Sequence, residues 1–196
     1  MVQRATDLNA RLRKAYPQGY ALDATHSPHV TILQRFVRTA DLDKVYVAIG
    51  KIIAKEHISA WNLEAFKVVY TVWNGIGVTA IEVKPNSELL KVQQQLVDAI
   101  APYTVKTANA DAFATTPDEP DVNSSTIAYV TAFVPASTGA KYVPHVTVGV
   151  APKAFLDILV AEPFTSFTFS PRAVSVYQLG NFGTARKQLE IWSYKP

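Results

Sequence analysis

The chain has four histidines and no cysteine, so imidazole is the only side chain whose ordinary pKa suits proton transfer near neutral pH. Two of the four sit in one repeated tetrapeptide. Pro28-His29-Val30-Thr31 returns 116 residues later as Pro144-His145-Val146-Thr147. With so few histidines, chance gives a match of three neighbours on the order of one time in a thousand, so the two copies are read as one device. In an extended segment, residues i and i+2 share a face. His29 and Thr31 therefore point one way and Val30 the other, into a core. His145, Thr147 and Val146 repeat the pattern. Gly149 continues the second polar face without a side chain, which leaves room for a ligand to approach the backbone.

Two imidazoles and two hydroxyls around one point suit a phosphodiester. A neutral imidazole takes a proton from water, and an imidazolium gives one to the leaving ribose oxygen. The threonine hydroxyls donate to the non-bridging phosphate oxygens, where charge develops. A single His-x-Thr on a strand is more often a hydrogen-bonded structural pair; the matched duplicate is what turns the reading toward catalysis. His26 and His57 have no echo and read as surface or local structural residues. No metal is expected, because there is no His-Glu-x-x-His, no cysteine and no tight carboxylate cluster beside either motif. No other cofactor is expected.

Several elements must position these groups. Thr6 to Ala15 reads as an amphipathic helix closed by Pro17 and Gly19. Val30 to Val37 is apolar and β-branched enough for a strand, entered through Ser27-Pro28. Asp41 is the expected N-cap of a helix running to about Lys55. Leu63 to Val72 and Ile76 to Val83 read as a hairpin turning at Trp73-Asn74-Gly75. Ser87 opens a helix that stops at Pro102. Residues 107–126 are the longest loop-like stretch. Ile127 to Val134 and Val143 to Val150 read as strands, and Pro152 to Val160 as a helix. Phe167 to Leu179 holds at least one strand, interrupted near Pro171, and Gln188 to Tyr194 is the last. The second half roughly echoes the first, and strands and helices mix without a βαβ rhythm, which predicts α+β.

Composition sets the bounds. With 196 residues, 48% hydrophobic and 18% charged, the chain can bury a core. No run is long and apolar enough for a membrane helix, and no signal peptide is read at the N-terminus, so a cytoplasmic protein without a membrane partner is expected. The net charge of +3 and a pI near 9.0 fit a local positive groove for a small anionic substrate and fall short of a DNA-coating protein.

Two His-x-Thr motifs half a chain apart resemble the signature of the 2H phosphoesterase superfamily. The likeness is to its 2′-5′ RNA ligase-like and cyclic phosphodiesterase branches. It covers nearly the whole chain and is carried by Ser27 to Val37, by Tyr142 to Gly149, and by Leu179 to Arg186, which looks like the closing hairpin of bacterial members. The resemblance implies one bilobal domain, 1–196, with approximate halves 1–84 and 85–196. Its fold would be two pseudo-symmetric lobes, each an antiparallel sheet with helices outside, about a central groove. It implies metal-independent opening, or reversible formation, of a cyclic or 2′-linked phosphodiester of an RNA end or a small nucleotide. His29 and His145 would be the catalytic acid and base, and Thr31 and Thr147 the phosphate contacts. One departure is that members begin with a strand, whereas this chain opens in a helix.

Further candidates for the substrate are Tyr142, just before the second motif, Arg186 in the last turn, and Trp73 in the hairpin turn. Packing for the aromatics and solvation for the arginine are the alternatives. Arg35 shares parity with His29 but lies roughly 20 Å along an extended chain, too far for the same phosphate. A monomer is expected. The competing readings are a non-catalytic RNA- or nucleotide-binding module on the same scaffold, and an unrelated structural domain.

Overall fold

The computed structural model describes residues 1–23, 26–73, 75–117 and 119–194, with the Trp73 side chain outside that description. The chain is α+β. Helix α1 (Val2–Ala15) buries Ala5, Leu8, Asn9 and Leu12, the i, i+3, i+4, i+7 stripe of an amphipathic helix. It ends where Gly19 N–H returns to the Tyr16 carbonyl, 2.9 Å away. Helix α2 (Leu42–Ile53) is followed by the hairpin β1 (Leu63–Trp73) and β2 (Ile76–Val83). Gly75 in the turn takes a left-handed φ of 79°; Asn74 lies outside the described residues. Then come α3 (Ser87–Ile100), α4 (Ser124–Ser137), β3 (His145–Pro152), α5 (Lys153–Ala161), β4 (Phe167–Phe169), β5 (Ala173–Leu179) and β6 (Ala185–Ser193). The break between β4 and β5 falls at Pro171, as its missing N–H requires.

Two sequence expectations are corrected. Residues 127–134 are not a strand but lie inside α4. Asn123 accepts from Thr126 N–H at 2.8 Å and caps that helix. Thr126, Val130 and Phe133 are buried at helical spacing, which outweighs the β-branched composition. The segment Val30 to Val37 forms no ladder; among the described residues its backbone bridge is Val37 to Thr104. Carbonyls along it are met singly instead, Ile32 O by Gln93 Nε2 at 2.9 Å and Phe36 O by Val105 N–H at 3.0 Å. Asp41 is the N-cap residue of α2 as expected, but its carboxylate makes no capping hydrogen bond and takes Arg38 Nε at 2.6 Å and Lys44 Nζ at 2.7 Å instead. The Lys44 and Arg38 bonds hold its pKa below the usual range.

The chain forms two compact units, each assembled from three segments. The first comprises Met1–Thr31, Asn62–Pro85 and Val143–Phe169; the second comprises Ile32–Trp61, Asn86–Tyr142 and Ser170–Pro196. The first unit holds a four-stranded antiparallel sheet in the order β3-β2-β1-β4. Helices α1 and α5 pack on this sheet. Its core gathers Leu8, Leu12, Ile81, Val146, Val148 and Leu156, each worth about 1.5–3 kcal/mol when fully buried. The second unit holds the two-stranded β5-β6 sheet and the packed pair α2 and α3. A smaller core of Phe36, Phe113 and Val130 lies in the same unit.

Candidate active site

Both copies of the tetrapeptide belong to the first unit. His29 and Thr31 end its first segment, and His145 and Thr147 open its third. Strand β3 lies at the sheet edge, bonded to β2 in the register Glu82–His145, Ile81–Val146 and Ala80–Thr147. Val146 is 1% exposed and sits in the core, so His145 and Thr147 take the opposite face, as the parity argument expects. Val30 packs against the same core cluster as Val146. His29 and His145 are both exposed.

The two imidazoles are held alike. His29 Nδ1 lies 2.8 Å from the Ser27 carbonyl oxygen, and His145 Nδ1 lies 2.8 Å from the Val143 carbonyl oxygen. A carbonyl only accepts, so each Nδ1 is the donor. Nε2 is left as the working nitrogen on each ring. It accepts a proton when the ring is neutral and donates one when the ring is charged. Each ring presented this way can serve as an acid or as a base.

Beneath the second motif sits a residue the sequence reading missed. Asn9, 4% exposed, donates through Nδ2 to the carbonyls of Tyr20 at 3.0 Å and Val148 at 2.8 Å. Its Oδ1 accepts Leu22 N–H at 3.0 Å. One amide thus ties α1, the chain leading to His29, and the strand carrying His145. The only sequence signal was a polar residue in the apolar stripe of α1. Gly149 also reads differently in three dimensions. A bulge at Thr79/Ala80 shifts the register past Thr147. A Cβ on Gly149 would stand 2.9 Å from Leu12 Cδ1 and 3.1 Å from Asn9 Nδ2. The space beside Gly149 is filled by α1, not kept for a ligand.

The remaining candidates divide. Tyr142 is 6% exposed, and burial pushes its phenol pKa up. It is a packed residue rather than an open platform. Arg186 belongs to the second unit, where Nη2 donates to Thr116 Oγ1 at 3.3 Å and lies 3.7 Å from Glu119 Oε2. Trp73 ends β1, and its side chain lies outside the described residues. Among the described residues, no group of three His, Asp or Glu side chains is arranged to hold a metal ion. No described helix is long and apolar enough to cross a membrane. No protein-family model matches the chain, and no curated protein matches it.

Proposed function

We propose that the chain is a phosphoesterase of the 2H type, opening or reversibly forming a cyclic or 2′-linked phosphodiester of an RNA end or small nucleotide. The observation that carries the reading is the matched local geometry. Two identical tetrapeptides each turn a valine into one core, expose a histidine, and bind its Nδ1 to the carbonyl two residues back. In the hydrolytic direction one neutral imidazole takes a proton from water as the water oxygen bonds to phosphorus. The other, protonated, gives its proton to the ribose oxygen as the P–O bond breaks. Thr31 and Thr147 donate to the non-bridging oxygens. The pseudo-symmetric two-lobed fold of that superfamily belongs to the same proposal, as do action without a metal and a monomeric state.

The experiment is turnover of a panel of nucleoside 2′,3′-cyclic phosphates and 2′-5′-linked dinucleotides, with EDTA present. Turnover of at least one compound that persists in EDTA is expected. Absence of turnover together with tight binding would replace the enzyme by a nucleotide-binding module. Activity abolished by EDTA and restored by zinc or manganese would overturn the metal-independent mechanism.

A further inference from the structure

Beside His145 the sheet carries a row of charge that the two-histidine chemistry does not use. The register aligns Lys67 of β1, Glu82 of β2 and His145 of β3. Their neighbours Val68, Ile81 and Val146 all turn to the core, so the three side chains share the opposite face. Lys67 Nζ bonds Glu82 at 3.0 Å, with Lys67 49% and Glu82 17% exposed. Lys84 Nζ bonds Glu64 at 2.7 Å. Both ammonium groups then converge on one aromatic ring, Lys67 at 5.1 Å and Lys84 at 5.8 Å from the centroid of Phe66. Two ammonium groups thus share one ring, each paired to its own carboxylate. An ammonium has three N–H donors, and one carboxylate does not exhaust them.

Resting on the phosphodiesterase reading, we propose that Lys67, supported by Lys84, is a subsite for a second phosphate of the substrate. Lys67 stands two strands from His145, about 10 Å at the usual strand spacing, with Glu82 between them holding its ammonium. The group it meets is the next phosphate along the nucleotide chain. The preferred substrate is therefore an oligonucleotide end and not a lone cyclic mononucleotide. Glu82 acts as a positioning residue, aiming the ammonium along the row.

The test compares adenosine 2′,3′-cyclic phosphate with the adenylyl dinucleotide ending in the same cyclic phosphate. The wild-type chain should favour the dinucleotide by about tenfold in kcat/KM, as one charge-assisted phosphate contact gives. Lys67→Met keeps the stem over Phe66 and removes the charge. It should erase that preference through KM and leave the mononucleotide unchanged, and Lys67→Arg should retain it. Equal effects on both compounds, or no effect on either, overturn the subsite. If the wild-type chain turns over neither these compounds nor any other cyclic phosphate or 2′-5′-linked dinucleotide of the panel, the phosphodiesterase reading has failed, and the subsite is judged separately by anisotropy titration of fluorescein-labelled tri-adenylate. Kd weakened about fivefold or more by Lys67→Met sustains it; an unchanged Kd overturns it.

Discussion

Replacing Asn9 by alanine tests how the two motifs are held. Asn9 makes three hydrogen bonds from a position 4% exposed. Each is worth about 1 kcal/mol net, and each buried partner left unpaired adds a desolvation cost of about 1–3 kcal/mol. The Val148 carbonyl is the most buried of the three partners, so the largest share falls there. Alanine returns about 0.5 kcal/mol in helix propensity. The expected net loss is about 3–5 kcal/mol. At the usual scaling for a chain of this size, that lowers Tm by about 10 °C. Asn9→Asp keeps an acceptor for Leu22 N–H but sets a carboxylate against two carbonyl oxygens. It should be at least as damaging, and that separates hydrogen bonding from side-chain volume. Urea denaturation followed by far-UV circular dichroism reads the effect. A loss below about 1 kcal/mol in both variants would refute the clamp, because no arrangement that leaves those carbonyls unpaired is so cheap.

Other expectations follow from the same geometry. His29→Ala and His145→Ala should each lose most of the turnover, and the double variant little more, because acid and base act as a unit. Near-wild-type rates in either would end the two-histidine mechanism. Thr31→Val and Thr147→Val should each cost about one to three powers of ten in kcat, as removal of one donor to a developing charge does. Gly149→Ala forces a Cβ to within 2.9 Å of Leu12 Cδ1 at a φ of 152° and should cost about 2–3 kcal/mol by urea titration. Asn123→Ala removes the cap of α4 and should cost about 1 kcal/mol; an unchanged urea midpoint would mean that the cap is not used in solution.

Where periodicity and burial agree, the elements were legible in the sequence. The stripe of α1, the β1-β2 hairpin, α3 and the β5-β6 pair follow from apolar spacing and turn residues. The failures have physical causes. In α4, Thr126, Ile127, Val130, Thr131 and Val134 have the composition of a strand, yet one capping asparagine and a buried face at 3.6-residue spacing decide for helix. Around Phe36 the residues have strand character, but a ladder needs a partner with matching register, and local sequence does not carry that information. Gly149 was misread because a bulge between Thr147 and Gly149, opposite Thr79 and Ala80, changes which face it occupies. The residue roles in the site divide the same way. Parity put His145 opposite Val146 correctly, whereas Asn9 acts on chain 139 residues away and left only a polar interruption in an apolar stripe.

The recurrence of one local geometry in two backbone settings has its explanation inside the tetrapeptide. His145 lies in a laddered strand and His29 does not, yet both place Nδ1 at 2.8 Å from the carbonyl two residues earlier. That carbonyl belongs to Ser27 in one copy and Val143 in the other, and each is the residue before a proline. A proline ring excludes the helical region for the residue preceding it and drives it into extended backbone. The orientation of the accepting carbonyl is thus set by Pro28 and Pro144, without help from a neighbouring strand. The valine then fixes which side of the chain is buried, and the histidine is presented on the other with Nε2 outward. Proline, histidine and valine of Pro-His-Val-Thr thus contribute to one presentation of a single ring nitrogen. Repetition of the whole tetrapeptide, prolines included, is therefore stronger support for a shared chemical role than two His-x-Thr spacings alone would be.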